Sequence, residues 1–138
     1  MQARLLVALT ILVTLALLNA PPAQAGIQPI VAAGSFFTAL DAGDHEAAVA
    51  MFTADGVATL VRGETYQGPE GISELVQLLA YPGRYHEIVQ AHMAGDTVTV
   101  VVEISDRGVG WGEATIEIEV QGGKLHTYRE QALQVRYG

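Results

Sequence analysis

The feature that most restricts the fold is a regular alternation of apolar residues in the second half of the chain. Two segments show it clearly, with Val98, Val100, Val102 and Ile104 on one face of the first and Ile116, Ile118 and Val120 on one face of the second. Such alternation predicts β-strands that are buried on one side only. Gly122 and Gly123 then favour a hairpin turn into a last strand. A sheet with one apolar face needs a second layer to cover it.

The covering layer is predicted in the first half of the chain, where the apolar spacing is helical. Residues 68–79 give the strongest signal. Their apolar positions follow i, i+3, i+4, i+7 spacing: Ile72, Leu75, Val76 and Leu79. Two earlier helices are expected, one over residues 27–40 and one that follows Asp44 as its N-cap. A strand over residues 57–63, with an optional second strand after it, precedes the third helix and four strands follow it, so the order indicates an α+β protein with helices on one face of a sheet.

The first 25 residues have the layout of a secretory signal peptide. A single arginine precedes an apolar run from Leu5 to Leu18, and Ala23-Gln24-Ala25 forms a small-x-small cleavage site. This run of 14 residues is shorter than the ~20 needed to span a bilayer, so a stable membrane anchor is the weaker interpretation. We expect cleavage after Ala25, a mature domain over residues 26–138, and a bacterial protein that is secreted or periplasmic.

Composition excludes several classes of function. The 138-residue chain has a formal charge of −8, which disfavours nucleic acid and anionic membranes as partners. It has no cysteine, so thiol catalysis and disulfide bonds are excluded. His86 and His92 would lie ~20 Å apart along one strand, too far to share a metal ion. We therefore predict no metal and no cofactor.

Three segments together resemble a known family. They are "FFTALDAGDHEAAVAMFTADGVA", "YQGPEGISELV" and "VQGGKLHTYREQAL". In this order and spacing they are similar to the nuclear transport factor 2-like superfamily, in its SnoaL-like or polyketide-cyclase-like branch. The resemblance covers residues 26–138. It implies a cone-shaped α+β fold, in which a strongly curved, mainly antiparallel sheet wraps a long N-terminal helix and two shorter ones, with a pocket at the wide end and homodimers formed through the sheet.

The resemblance does not select one chemistry. Members similar to ketosteroid isomerases place polar groups where this chain has Phe36, Leu60 and Ile116, so that reaction is not expected here. Epoxide-hydrolase members need an Asp-Arg-Asp set. The nearest counterpart is Arg129-Glu130, whose side chains would point to opposite faces of a strand. The aspartates of the first segment, Asp41, Asp44 and Asp55, read as helix-break and turn residues.

The last strand carries the best candidates for catalysis. In the register that the resemblance implies, His126, Tyr128 and Glu130 project into the cone about 7 Å apart along one wall. They would act as orienter, donor and base. The alternative is a polar row on the outside of the sheet or in a dimer contact.

Other residues are candidates for a ligand-binding wall. Phe36, Leu60, Ile116 and Ile118 would supply apolar surface. Glu103 interrupts an apolar strand, Tyr66 lies before the third helix, and Trp111 sits among glycines as a potential aromatic lid. For each polar or aromatic residue the alternative is ordinary: solvation for Glu103, packing for Tyr66, and a bulged or bent strand at Trp111.

Two functions remain open. One is a secreted protein that binds a small apolar molecule and performs cofactor-independent acid–base catalysis of isomerase, cyclase or hydrolase type. The other is a secreted, non-catalytic module for binding or protein interaction. Fold alone does not decide between them.

Overall fold

The computed structural model describes residues 27–107 and 109–136. The three helices are α1 (Ile27–Asp41), α2 (His45–Ala50) and α3 (Gly68–Leu79). The six strands are β1 (Phe52–Thr59), β2 (Thr65–Gln67), β3 (Arg84–Ala94), β4 (Thr97–Asp106), β5 (Val109–Gln121) and β6 (Lys124–Val135). The predicted signal peptide lies outside the described residues. Within them, no helix is long and apolar enough to cross a membrane.

One mixed sheet forms the body of the molecule, in the strand order β2-β1-β6-β5-β4-β3. Strands β3 to β6 pair antiparallel in sequence, whereas β1 pairs parallel with β6. This pairing brings the strand nearest the N-terminus into contact with the last strand. The element order and the α+β class match the sequence prediction, and the open, curved sheet with its three helices has the cone architecture.

The helices form where the sequence supplies their ends and their apolar faces. The Asp44 side chain accepts a hydrogen bond from the Ala47 N–H at 3.1 Å, as expected for an N-cap. Helix α3 begins with Pro69 in its first turn and buries the apolar face predicted for it. Helix α1 packs across β3, β5 and β6, and α3 packs against β1 and β2. The helical layer therefore covers one face of the sheet.

The first strand lies earlier in the chain than predicted. It runs from Phe52 to Thr59 instead of over residues 57–63. A register shift between Phe52 and Val57 explains the missed start, because the irregular pairing breaks the period-2 pattern. Phe52 itself is buried in the core.

Two β-bulges change the faces of β6. Along β5, Val120 pairs with Leu125 and Glu119 with Thr127, which leaves His126 as an extra residue. At the second bulge, Thr115 pairs with Ala132 and Ile116 with Glu130, which leaves Gln131 as an extra residue. Each bulge inverts the alternation beyond it. As a result Leu125 and Tyr128, which would lie on opposite faces of a regular strand, both enter the core.

The outer face of the sheet carries small and β-branched residues, which suit the sheet-to-sheet contact of the predicted homodimer. Val101 lies directly opposite Thr115, and Thr99 lies opposite Glu117 on the same two strands. These side chains are half-buried. The homodimer itself stays a prediction.

Candidate functional site

A histidine and an aspartate meet where the end of α1 contacts the start of β3. The carboxylate of Asp41 accepts a hydrogen bond from the His86 backbone N–H at 2.9 Å. Its other oxygen lies 2.7 Å from the His86 Nδ1 atom. Asp41 is the last residue of α1, where a negative charge is disfavoured by the helix dipole, so the pair with His86 compensates for that position.

The His86 ring is held in place on its other side by an aromatic ring. It stacks on Phe37 of α1, with centroids 5.2 Å apart and planes 21° apart. Only 4 % of the His86 side chain is exposed. Burial lowers the pKa of His86 below its ordinary value, although the hydrogen bond and charge of Asp41 oppose the change, and the nearby Arg84 charge lowers it further. The imidazole is therefore neutral at pH 7.

A cavity of about 390 Å³ lies at the ends of four strands, β3 to β6. Its aromatic and apolar lining comes from Tyr85, Ile104 and Trp111. Its polar lining includes His86, Glu103, Ser105 and Arg136. The volume falls within the range usual for small-molecule sites. Because His86 is among the lining residues, the Asp41–His86 pair adjoins a space that could hold a ligand.

A cationic side chain supports the aromatic wall of this cavity. The guanidinium of Arg84 lies 4.8 Å from the Trp111 ring centroid and 5.3 Å from that of Tyr81. It reaches Asp106 at only 3.9 Å, and both Arg84 Nε and Asp106 Oδ1 are buried without a hydrogen-bond partner among the described residues. The main contact of the Arg84 guanidinium is therefore with the face of the Trp111 ring, because its ion pair with Asp106 is long.

Tyr128, the predicted donor, lies deep in the core. It is 2 % exposed and faces the Phe36 ring at 5.8 Å. Burial raises the pKa of Tyr128 above its ordinary value, and the charge of Glu130 raises it further. The hydroxyl therefore stays protonated at any ordinary pH, which suits a donor, but the ring is closed off from solvent in this conformation.

Glu130, the predicted base, is half-buried opposite Ile116 on the same side of β6 as Tyr128. The Val61 N–H donates to its Oε1 atom at 3.2 Å. Burial raises the pKa of Glu130, and the negative charge of Glu64 raises it further. The hydrogen bond from Val61 opposes this change, but the pKa stays above its ordinary value. A carboxyl group with a raised pKa can both accept and return a proton, so the role of Glu130 as a base stays a prediction.

His126, the predicted orienter, is turned away from the other two. As the extra residue of the first bulge, it lies beside β1, with Nδ1 3.1 Å from Thr53 Oγ1 and 3.4 Å from Asp55 Oδ1. The expectation that one wall carries all three side chains is therefore wrong for His126. Strand alternation predicted that wall, and the bulge breaks it.

The predicted ligand-binding residues fall into two groups. Phe36, Ile116 and Ile118 are at most 1 % exposed and belong to the packed core, against which Leu60 and Tyr66 are also packed. Glu103 and Trp111 line the cavity beside His86. The structure thus brings these last two residues together, although no pattern in the sequence pairs them.

Helix α1 separates the predicted strip on β6 from the Asp41–His86 pair. A chain of ring contacts crosses the helix: His86 to Phe37 at 5.2 Å, Phe37 to Phe36 at 5.4 Å, and Phe36 to Tyr128 at 5.8 Å. The intervening space is filled by phenylalanine. One small molecule cannot contact His86 and Tyr128 at the same time in this conformation.

Sequence reasoning missed the Asp41–His86 pair because its members are 45 residues apart. Asp41 was interpreted as a helix-break residue and His86 only as an unsuitable metal ligand. One signal was available: an aspartate at the last position of a helix opposes the helix dipole and so calls for a partner. Among the described residues, no three histidine, aspartate or glutamate side chains are placed to hold a metal ion.

Replacing Glu130 with glutamine is expected to stabilise the protein at pH 7. The pKa of Glu130 is higher in the folded protein than in the unfolded chain, where it is near 4.5. The protonated carboxyl group therefore contributes its full stabilisation below the unfolded-state pKa. That stabilisation is lost as the pH rises through the folded-state pKa. Glutamine stays neutral and can still accept from Val61. Because Glu130 is half exposed, the gain should be below about 1 kcal/mol.

Urea unfolding at pH 7 and at pH 3.5 measures this difference. The variant should exceed the wild type at pH 7, and the gap should close at pH 3.5. Glu74→Gln, at an exposed position of α3, is the control and should show no such pH-dependent gap. A gap that is the same at both pH values would contradict the assigned ionisation.

Residues 33–130 match the model of a family described as the SnoaL-like domain. A search of curated proteins found no match. Among solved structures, a putative ketosteroid isomerase from Kribbella flavida is 19% identical with a TM-score of 0.64, covering 82% of this chain and 82% of that chain. A putative polyketide cyclase from Sinorhizobium meliloti is 20% identical with a TM-score of 0.63, covering 72% and 93%.

A third similar structure is an epoxide hydrolase of the LEH-like type from Mycobacterium tuberculosis. It is 18% identical with a TM-score of 0.61, covering 76% of this chain and 82% of that chain. At these identities the likeness shows a shared fold and leaves the reaction undetermined.

Proposed function

The chain belongs to the SnoaL-like domain family, and we propose that it binds a small, largely apolar molecule in the cavity beside Trp111. The cavity carries this proposal, because it combines an aromatic wall with a few polar groups, the usual composition of a ligand site. The similar structures support a small-molecule role, since their descriptions include an isomerase, a cyclase and a hydrolase. Export by the N-terminal leader is part of the same proposal.

Two contacts hold Trp111, the aromatic wall of the cavity, in a position that suits ligand recognition. Trp111 is fixed by the Arg84 guanidinium over its ring and by a hydrogen bond from the Arg136 N–H to its carbonyl oxygen at 2.7 Å. A rigid aromatic face loses little entropy when a flat ligand stacks on it. Arg136, Glu103 and Ser105 then offer charge and hydrogen bonds at the rim.

The alternative is a non-catalytic module that binds a ligand or a protein. Its support is that Phe36 and Ile116 fill the core at positions where isomerase-like relatives need polar groups. Turnover of the bound molecule distinguishes the two functions, whereas binding alone does not.

Titration with a flat bicyclic ketone tests the binding proposal. The chain contains one tryptophan, so its fluorescence reports on Trp111 alone. At about 0.4 kcal/mol per heavy atom, 2-tetralone should bind with a Kd near 0.1–1 mM and change the emission saturably. Emission that changes only in proportion to ketone concentration would contradict the proposal.

Two variants at the same position sharpen this test, with binding measured by equilibrium dialysis. Trp111→Ala removes the stacking face and should weaken binding at least about tenfold, by the worth of an aromatic contact. Trp111→Phe keeps an aromatic face and should stay within a few-fold of the wild type. Equal binding by the alanine variant would place the ligand elsewhere.

A further inference from the structure

We infer that the ligand of the cavity beside Trp111 carries a positively charged amine, which Glu87 and Glu103 bind next to the ring of Tyr85. This inference rests on the proposed binding function and adds to it the chemical class of the ligand. It concerns recognition alone, so it assigns no catalytic residue and no bond-making step.

The two carboxylates reach the cavity because side chains alternate along the strands. His86 and Ile104 lie opposite each other and are buried towards the helical layer. The residues on either side of them along β3 and β4 therefore point to the other face of the sheet. Four such residues line the cavity: Tyr85, Glu87, Glu103 and Ser105.

The register of the strands places carboxylates directly opposite one another. Glu87 pairs with Glu103, and Glu103 pairs in turn with Glu113 on β5. Like charges that face each other on neighbouring strands are destabilising. The row of three glutamates therefore lowers the stability of the folded protein unless a cation lies beside it. A positively charged ligand in the cavity would offset this repulsion.

One arginine lies near the row, but it is engaged at the β5 end. Arg136 Nη2 is 3.6 Å from Glu113 Oε2. In the part of the chain that the structure describes, no arginine, lysine or histidine forms an ion pair with Glu87 or Glu103. The charge of Arg136 is therefore offset by Glu113, and the two cavity carboxylates give the site a net negative potential. Such a potential attracts cations and repels anions.

An aromatic ring on the same face suits an organic amine. Tyr85 precedes Glu87 by two residues on β3, and it is 56 % exposed, so a ligand can reach its ring. An ammonium group is attracted by an aromatic face and donates charge-assisted hydrogen bonds to carboxylates. The volume of about 390 Å³ accommodates the apolar part of such a molecule. A metal ion fits less well, because no three histidine, aspartate or glutamate side chains of the described residues are placed to hold one.

The alternative is a solvated row of glutamates on the outside of the sheet. A chain with a formal charge of −8 also attracts cations without any site. The two interpretations differ in whether the preference for a cation depends on the cavity glutamates or on the total charge.

The experiment measures binding of three compounds with one skeleton, by equilibrium dialysis of the protein at pH 7 and low salt. 2-Aminotetralin carries an ammonium group, 2-tetralol is neutral, and tetralin-2-carboxylate is an anion. We expect the amine to bind at least about fivefold more tightly than the alcohol, because two solvent-screened carboxylates and an aromatic face act together. The carboxylate should bind most weakly. Equal binding of amine and alcohol, or tightest binding of the carboxylate, would overturn the inference.

Variants that each remove one charge locate the preference. Glu87→Gln and Glu103→Gln should each weaken binding of 2-aminotetralin at least about twofold and leave 2-tetralol unchanged, and the double variant should bind both compounds alike. Glu119→Gln removes the same charge from β5 outside the cavity lining and should change neither affinity. Equal weakening by Glu119→Gln would show general attraction to an acidic chain and overturn the inference.

Thermal unfolding of the same variants shows whether a loss of binding reflects a loss of structure. Glu103 lies between two other glutamates, so Glu103→Gln relieves repulsion and should raise Tm or leave it unchanged. Weaker binding of the amine by a protein that is at least as stable supports the inference. A lower Tm would contradict the repulsion on which it rests.

The same compounds separate this inference from the binding proposal. Binding of 2-tetralone and 2-tetralol without a preference for the amine overturns the ammonium site and leaves the proposed function intact. A preference that survives in the Glu87→Gln, Glu103→Gln double variant places the amine elsewhere and also overturns it. Failure of every tetralin compound to bind, 2-tetralone included, contradicts the proposed function itself.

Discussion

Phe36→Ala is expected to lower the free energy of unfolding by about 3–5 kcal/mol, the usual cost of truncating a buried phenylalanine. The side chain is fully buried, and its ring contacts those of Phe37, Phe52 and Tyr128 at 5.4, 5.3 and 5.8 Å. Alanine would leave a void between α1, β1 and β6 that these rings could fill only by leaving their own positions. Since a domain of this size has about 5–15 kcal/mol of stability in total, the variant should be close to unfolding.

Denaturant unfolding measures the effect, with Val31→Ala as the control. Val31 lies on the same helix but is 59 % exposed, so its truncation should cost less than about 1 kcal/mol. The comparison also tests the sequence prediction that Phe36 lines a ligand site. An open pocket wall would tolerate truncation, so a loss below about 1 kcal/mol for Phe36→Ala would contradict the closed core and favour a pocket there.

Asp41→Ala is expected to cost about 2–4 kcal/mol, the second-largest effect. The substitution leaves two donors of His86 without a partner, the backbone N–H and Nδ1–H, in a place where little water reaches them. Each buried unsatisfied donor costs about 1–3 kcal/mol. Relief of a negative charge at the C-terminus of α1 offsets a small part of the loss.

The matched control is Asp44→Ala, three residues further along the chain. Asp44 caps α2 with one exposed hydrogen bond to Ala47, so its loss should cost about 1 kcal/mol. Chemical denaturation of both variants gives the comparison. Equal losses would show that Asp41 does no more than an ordinary helix-end residue, and would contradict a stabilising role for the Asp41–His86 pair.

The sheet and the helices could be predicted because each signal lies within a few neighbouring residues. Val98, Val100 and Val102 alternate along one strand, and a face of three to four apolar residues defines α3. Burial of these faces confirms the prediction for every residue named except Leu79, which is only partly buried against the core. Such signals need no knowledge of which strand pairs with which.

The site was predicted poorly because its geometry depends on pairing. One extra residue at His126 reverses the alternation of β6, and the sequence contains no local mark of that bulge. Likewise, the contact of Asp41 with His86 exists only because α1 lies across β3. Trp111 and Glu103 were predicted separately as ligand-binding residues, whereas the cavity they share comes from the register of β4 and β5.

The parallel pairing of β1 with β6 has a consequence for how the chain reaches its native state. Thr53 and His126, which meet across this pair, are 73 residues apart in the sequence. Strands β2 to β5 lie between them along the chain. Closing so long a loop is slow compared with forming helices or hairpins. A growing chain therefore cannot complete its core until β6 has emerged, and a chain truncated after Gln121 should leave β1 without its parallel partner and the ring of Phe36 without Tyr128.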